Sequence, residues 1–249
     1  MDFIGEPLVG KGVVERRFDL KVEDRLVPGI VWTPEAVKGT EPPADATGPR
    51  PLVLIGHGGS LHKRTEYVLA LARRLCRRNG IAAAAIDGPA HGDRGGSTDL
   101  SNVAEWWQHS TTDDMVADWK ATLAAVQSLP EVGEGPLGYW GLSMGTIFGL
   151  PFVAAEPRVQ VAVLGLMGVM GATGDRLAGD AAKINCPVLF LQQLEDELIG
   201  RKAVAELFDA LGTRDKRLHA NPGAHSAVPP EEFEVSREFL ASHLLAPPS

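Results

Sequence analysis

Hydrophobic and polar positions follow two different periods along this chain. Around the turn-like stretch KVEDR at residues 21–25, apolar and polar positions alternate, which predicts two paired β-strands. From residue 52 onward the pattern changes to short continuous apolar runs, such as LVLIG at 52–56 and IAAAAID at 81–87. Runs of this kind are typical of strands that are covered on both faces. Further strands are predicted at 136–140, 159–167, 186–194 and 216–220.

Segments with helical spacing separate these runs. They predict helices at 65–80, 111–130, 146–156, 200–212 and 231–245. Strand and helix thus alternate over roughly 190 residues, which is typical of a mostly parallel sheet with helices on both faces. The proline- and glycine-rich segment 38–51 is interpreted as a surface loop, because too little chain precedes it to form a separate domain. We therefore predict a single α/β domain over residues 1–249.

Composition and charge narrow the classes of partner. Of the 249 residues, 44% are hydrophobic and 22% are charged, as in globular proteins, and the net charge of −8 argues against nucleic acid or an anionic membrane surface as a partner. The start of the chain lacks a basic segment followed by a long apolar run, and no apolar run is long enough to span a bilayer. Cys76 and Cys186 are predicted to be reduced thiols, so a cytoplasmic protein is the simplest interpretation. The sequence leaves open whether the protein forms a homo-oligomer.

Polar and glycine-rich residues follow five of the predicted strands, at the sheet edge where α/β proteins bind their ligands. Three of these strand ends carry the residue types of a charge-relay hydrolase, in the chain order Ser143, Asp196, His225. A serine hydroxyl is a weak nucleophile until an imidazole takes its proton, and the imidazole needs an acceptor on its other nitrogen. The order and the strand–turn–helix context together favour a catalytic triad. His219, at the end of a short strand, is a less favoured base than His225 in the loop beyond it.

The motif GLSMG at 141–145 places the serine between two glycines. A nucleophile held in a strained strand-to-helix turn needs neighbours without a Cβ, because the turn presses them together. The oxyanion that forms on attack needs two backbone N–H donors. We predict that Met144, directly after the serine, and Gly59, in the GHGG loop, donate them.

Several polar residues in the predicted loops at this sheet edge have both a structural and a functional interpretation. His57, His91 and Asp87 are predicted to be structural, with the His57 ring bonding loop backbone. Lys63 and Arg64 could bind a substrate carboxylate, but a solvated helix start is the favoured interpretation.

Two tryptophans raise the question of substrate binding. Trp106 and Trp107 could line an acyl pocket, since aromatic walls are usual in such sites, or they could pack in the core.

The motifs LVLIGHGGS, IDGPAHGDR, YWGLSMGT, PVLFLQQLEDELI and NPGAHS resemble those of the α/β-hydrolase superfamily, in particular its esterase and dienelactone-hydrolase-like branch. The resemblance covers essentially residues 10–245. It implies the α/β-hydrolase fold, a twisted, mostly parallel sheet of about eight strands, with a minimal cap in which about 168–183 forms a short lid-like loop. It also implies Ser143 as nucleophile, Asp196 as acid and His225 as base.

The chain departs from the family pattern at two points. The strand before the acid usually ends in a His-Gly pair, whereas this chain has Gln192-Gln193, so Glu195 or Glu197 could hold the imidazole instead of Asp196. Dienelactone hydrolases themselves have cysteine as the nucleophile, whereas serine here favours ordinary ester chemistry.

The sequence therefore predicts a serine esterase that cleaves small-molecule carboxylic esters with short acyl groups and needs no metal or organic cofactor. Thioesterase, lactonase and peptidase activities on the same triad are alternatives. An NAD-binding oxidoreductase is a rival from another class, because LVLIGHGGSL, a helix and IAAAAID imitate a βαβ unit; Leu61 stands where the fingerprint needs its third glycine. A non-catalytic binding protein with a hydrolase ancestor is the second rival.

Overall fold

The computed structural model describes residues 1–35, 49–95 and 107–246, which contain nine strands and six α-helices. The strands are β1 (Asp2–Gly10), β2 (Val13–Val22), β3 (Arg25–Pro34), β4 (Leu52–Gly56), β5 (Ala82–Ile86), β6 (Leu137–Gly141), β7 (Val159–Gly165), β8 (Val188–Gln193) and β9 (Lys216–Asn221). The helices are α1 (Glu66–Asn79), α2 (His109–Gln127), α3 (Met144–Ala155), α4 (Gly174–Ala181), α5 (Arg201–Ala210) and α6 (Pro230–Leu244).

All nine strands belong to one sheet, in the order β1-β2-β3-β5-β4-β6-β7-β8-β9. The part from β5 to β9 is parallel, whereas β1, β2 and β3 pair antiparallel and join the sheet through β3 and β5. The predicted mostly parallel sheet with helices on both faces is therefore confirmed, with nine strands rather than about eight. The additional strand is β1, whose nine residues are all exposed. It has no buried face, so no hydrophobic pattern marks it in the sequence.

Two apolar layers cover the sheet. Helices α1 and α6 pack on one face, through side chains such as Leu71 and Leu240, and helices α2 to α5 pack on the other, through side chains such as Trp119 and Phe152. The alanines of β5 are buried on both faces, which explains why this strand reads as a continuous apolar run. None of the described helices is both long and apolar enough to cross a bilayer.

The segment 168–183 differs from the expected lid-like loop. Much of it is helix α4, whose Leu177 and Ala181 are spaced i, i+4 and are buried in the layer formed by α2 to α5. The helix thus extends the core rather than lying over the strand ends.

Candidate active site

Three loops at the carboxyl ends of β6, β8 and β9 bring Ser143, Asp196 and His225 together. The His225 Nε2 atom lies 2.9 Å from the Ser143 hydroxyl oxygen, and its Nδ1 atom lies 2.7 Å from Asp196 Oδ2. The Asp196 carboxylate is 2% exposed and the His225 ring 13%, so the pair is largely shielded from water while the ring keeps access to the serine. The three side chains have the geometry that proton relay from a serine requires.

Ser143 occupies a strained turn between β6 and α3. Its backbone has φ 56° and ψ −119°, a combination that side chains disfavour. A Cβ on Gly141 would lie 2.7 Å from the Gly145 carbonyl oxygen, and one on Gly145 would lie 2.7 Å from the Gly56 carbonyl oxygen. Both glycines of the motif are therefore required by close backbone approach, as the sequence predicts.

Two buried hydroxyl groups support this turn, and sequence reasoning missed both. The Tyr139 hydroxyl donates to the Gly145 carbonyl oxygen at 2.7 Å, and burial raises the pKa of this phenol, so it remains a donor. The Thr146 hydroxyl lies 2.8 Å from the Gly141 carbonyl oxygen and accepts the Gly165 N–H at 2.9 Å. The sequence signal that could have found them is a hydroxyl-bearing residue, Tyr139 or Thr146, in each of the two apolar runs that flank the GLSMG motif.

The loop that carries Asp196 is held by hydrogen bonds from its own backbone N–H groups. Asp196 Oδ1 accepts the N–H groups of Leu198 and Ile199, both at 2.9 Å, which leaves Oδ2 for the imidazole. Among the described residues no Lys or Arg side chain pairs with this carboxylate, so the backbone bonds fix it.

The alternative carboxylates have other partners. Glu197 Oε2 accepts the backbone N–H of His225 at 2.9 Å, and this bond lowers the pKa of Glu197. Glu195 accepts the backbone N–H of Gly223. His219 Nδ1 lies 3.1 Å from Glu232 Oε2, so this histidine pairs with helix α6. Of the acidic residues in this loop, Asp196 is the one whose carboxylate contacts the His225 ring.

The GHGG loop is fixed on both sides of Gly59. The Gly58 N–H donates to the Tyr67 hydroxyl oxygen at 2.7 Å, and His57 Nδ1 lies 2.8 Å from the Gly58 carbonyl oxygen. The Ser60 N–H donates to His91 Nε2 at 2.9 Å. The N–H of Gly59 itself donates to no residue in the described part of the chain, and Gly59 lines the same cleft as Ser143.

His57 is a structural residue, as the sequence predicts. Its Nε2 atom accepts the Gly88 N–H at 2.8 Å, so the proton of the neutral ring is on Nδ1 and donates to Gly58. Burial, the largest influence, lowers the pKa of His57 to about 4, and the ring stays neutral at physiological pH.

Asp87 and Lys63 form a buried ion pair, not part of the cleft. The Lys63 ammonium contacts the carboxylates of Asp87 and Asp93, and Asp87 also accepts the Lys63 N–H at 2.9 Å. The expectation of a solvated Lys63 is wrong, because its side chain is only 3% exposed. Arg64 turns away to Glu15, at 3.2 Å.

A cleft of about 630 Å³ leads to Ser143 and His225 between α1 and α6. Its wall contains an aromatic cluster of Tyr67, Trp140 and Phe233, whose ring centroids are 5.6 to 5.9 Å apart. The three rings come from α1, β6 and the start of α6, so no local sequence signal marks them as a group.

Of the two tryptophans expected in the acyl pocket, the structure describes Trp107, which does not contribute to this wall. Trp107 packs beside Gly171 and against the core layer of α2 to α5, and it is not among the described residues that line the cleft. Trp106 lies outside the described residues. A role for either tryptophan in substrate binding stays a prediction.

The described residues contain no group of three or more His, Cys, Asp or Glu side chains that could hold a metal ion. Cys76 is buried and Cys186 half-buried, and both are free thiols. Burial raises the pKa of each to about 12.

Comparisons with known proteins agree with this architecture. Residues 70–228 match the model of the dienelactone hydrolase family. The structure of a cold-adapted esterase from an Arctic intertidal metagenomic library is 42% identical, covers 98% of this chain and 100% of its own, and superposes with a TM-score of 0.85. No curated protein matches the chain.

More distant structures share the fold. Acetyl xylan esterase 1 from Thermoanaerobacterium sp. JW/SL YS485 is 16% identical, with a TM-score of 0.69 over 97% of this chain and 87% of its own. Est1E from Butyrivibrio proteoclasticus, with ferulic acid bound, is 14% identical, with a TM-score of 0.66 over 92% of this chain and 100% of its own. With its matching family model and its nine-stranded sheet, the chain belongs to the dienelactone hydrolase family of the α/β-hydrolase superfamily.

Proposed function

We propose that this protein hydrolyses carboxylic esters through an acyl-enzyme, with Ser143, His225 and Asp196 as the catalytic triad. The single observation that carries the proposal is the continuous chain of contacts from Ser143 through His225 to Asp196, at 2.9 and 2.7 Å. The 42% identity to an esterase over 98% of the chain supports ester hydrolysis as the reaction.

In the first step, Ser143 Oγ attacks the ester carbonyl carbon while His225 Nε2 accepts the hydroxyl proton. Asp196 accepts the Nδ1–H of His225 and stabilises the imidazolium. The carbonyl oxygen becomes an oxyanion, which we assign to the N–H groups of Met144 and Gly59. Neither N–H donates to another part of the described chain, which supports this assignment.

Collapse of the tetrahedral intermediate breaks the bond to the alkoxy oxygen, which takes the proton from His225 and leaves as the alcohol. Water then enters, gives a proton to His225 and attacks the acyl carbon, which forms a second tetrahedral intermediate. Its collapse breaks the bond between the acyl carbon and Ser143 Oγ, Oγ takes the proton back from His225, and the carboxylic acid leaves. Every proton returns to its starting place, so the cycle uses only ester and water.

The cleft supports small-molecule esters with an apolar portion, because the Tyr67, Trp140 and Phe233 rings form its wall. A preference for short acyl groups, a cytoplasmic location and the oligomeric state stay predictions from the sequence.

The test is hydrolysis of p-nitrophenyl esters of graded acyl length, run beside thioester, lactone and peptide substrates. Ser143→Ala should abolish ester cleavage and fluorophosphonate labelling with little change in Tm, because it removes only the hydroxyl. Ser128→Ala is the matched control, since Ser128 is exposed at the end of helix α2, is not among the described residues that line the cleft, and should keep full activity. Turnover retained by Ser143→Ala would refute the triad, and NADH binding by fluorescence transfer would favour the oxidoreductase alternative.

A further inference from the structure

Gln193 occupies the position where the chain departs from the pattern of similar hydrolases. It is the last residue of β8, three residues before Asp196, and it is fully buried. Its side-chain nitrogen donates to the Pro222 carbonyl oxygen at 3.2 Å and to the Ala227 carbonyl oxygen at 2.8 Å. These two carbonyl groups lie before and after His225. One amide group therefore ties together both ends of the loop that carries the imidazole.

The chemistry of this contact is specific to a carboxamide. A single nitrogen with two hydrogen atoms can serve two carbonyl acceptors, whereas a carboxylate would repel both and a thioether would donate to neither. The Gln193 side-chain oxygen has no partner among the described residues, so the bonding of this side chain rests on its NH2 group. Unlike a carboxylate, the amide does not titrate.

A backbone hydrogen bond also holds this loop, from the Glu195 N–H to the Gly223 carbonyl oxygen at 3.1 Å, but the other side-chain contacts to the loop backbone are of a different kind. Glu195 and Glu197 accept the N–H groups of Gly223 and His225, but both contacts are exposed to solvent. Exposed contacts with carboxylates are weakened by water and lost on protonation. The Gln193 side chain is fully buried, so loss of its two acceptors would leave a buried NH2 group unpaired, and these hydrogen bonds are therefore retained. Among the side-chain contacts to the loop backbone, that of Gln193 is therefore the one suited to keep the loop in place across pH.

We propose that Gln193 is a positioning residue for the His225 base, acting through the loop 222–227. This inference rests on the proposed function, because it concerns the same triad. The 2.9 Å contact of His225 with Ser143 and the 2.7 Å contact with Asp196 depend on where this loop stands. A displacement of about 1 Å in such a contact can lower the rate by about 100-fold.

The test compares Gln193→Met with Gln192→Met. Gln192 is the neighbouring residue on the same strand, is nearly as buried, and has no side-chain hydrogen bond to any described residue. We expect Gln193→Met to lower kcat roughly 10- to 100-fold with KM within about twofold of wild type, and to slow fluorophosphonate labelling by the same factor. Its pH–rate profile should also move, because a loosened His225 loses part of its contact with Asp196. Gln192→Met should change none of these quantities.

A second variant, Gln193→Glu, covers the case in which Gln193→Met does not fold. A protonated glutamic acid can donate one hydrogen bond to a loop carbonyl, and an ionised one cannot. The ratio of its kcat to that of wild type should therefore fall at least about 10-fold between pH 6 and pH 9, with Glu195, Asp196 and His225 as the titrating neighbours present in both proteins.

Two outcomes would overturn the inference: equal kcat and pH profiles for the two methionine variants, or a flat ratio for Gln193→Glu. Wild-type protein is the reference for both comparisons. If wild type itself cleaves no ester and takes no fluorophosphonate, the proposed function fails, which is a separate result from equal variants of an active enzyme.

Discussion

The hydroxyl oxygen of Tyr67 accepts the Gly58 N–H at 2.7 Å, so a residue of helix α1 holds the loop that carries Gly59. The same ring lies in the aromatic wall of the cleft. Tyr67 thus links the surface that would bind substrate to one of the two N–H groups assigned to the oxyanion.

Tyr67→Phe should lower kcat by roughly 10-fold with little change in KM. The variant keeps the ring but leaves the Gly58 N–H without its acceptor, so the Gly59 N–H is less well aimed at the oxyanion. Steady-state kinetics with p-nitrophenyl acetate, together with the affinity for a boronic acid that forms a tetrahedral adduct, measure this.

Phe233→Leu is the control for that experiment, because it changes the aromatic wall without contacting Gly58. It should alter KM and leave kcat within about threefold of wild type. If Tyr67→Phe behaves like Phe233→Leu, the hydroxyl does not act on the loop.

Asp196→Asn should lower kcat by about 1,000- to 10,000-fold. The amide replaces the charge that stabilises the imidazolium and can force the wrong tautomer on His225. Glu197→Gln keeps an oxygen acceptor for the His225 N–H and should lose less than about threefold. Rates for the two variants, measured side by side at pH 8, decide between the carboxylates of this loop; a larger loss in Glu197→Gln would contradict the assignment of Asp196.

Gly145→Ala should destabilise the protein by about 3 kcal/mol or more and remove most activity, because the new methyl group would lie 2.7 Å from the Gly56 carbonyl oxygen. Gly179→Ala is the matched control: Gly179 lies in helix α4 with no atom within 4 Å of a new Cβ. That change should stabilise the protein by up to about 1 kcal/mol. Urea unfolding of both variants tests the pair, and a tolerated Gly145→Ala would show that the turn can widen.

The free energy of unfolding should fall in acid partly because of His57. Burial lowers its pKa from 6.5 to about 4, so below pH 6.5 the unfolded chain binds a proton that the folded protein excludes. The stability that this ring contributes is complete above pH 6.5 and is lost as the pH falls toward 4, which amounts to about 2 to 3 kcal/mol at pH 4.5.

The measurement is urea unfolding of wild type and His57→Gln at pH 8 and pH 4.5. Other acidic groups titrate in both proteins, so the difference in pH dependence isolates His57. Parallel losses of stability in the two proteins would mean that this ring is protonated with little penalty in the folded state.

How much of this molecule the sequence predicts depends on whether the signal is local. The strand ends, the glycine-flanked Ser143 and the order of the acid and base lie in short segments, so the predicted fold and the meeting of Ser143, Asp196 and His225 follow from local pattern and from the common edge of parallel strands. The aromatic wall of the cleft could not be predicted in this way, because Tyr67, Trp140 and Phe233 belong to three separate elements. The prediction that Trp106 and Trp107 line the pocket rests on residue type, because aromatic walls are usual in such sites, and residue type does not say where a side chain lies in the fold.

Partners that are far apart in sequence were missed for the same physical reason. The amide of Gln193 meets carbonyl groups about 30 residues later, and nothing in the strand sequence distinguishes it from Gln192. Lys63 was expected in solvent because charged residues are seldom fully buried without a partner, and its partner Asp87 lies 24 residues away.

Strand β1 lies at one edge of the sheet, exposed along its whole length, with five strand spacings between it and β6, which leads to Ser143. At about 4.8 Å per spacing, this edge is about 24 Å from the nucleophile and farther still from the strands that carry the acid and the base. A linker fused ahead of β1 can therefore attach the protein to a solid support at an edge of the sheet that takes no part in catalysis.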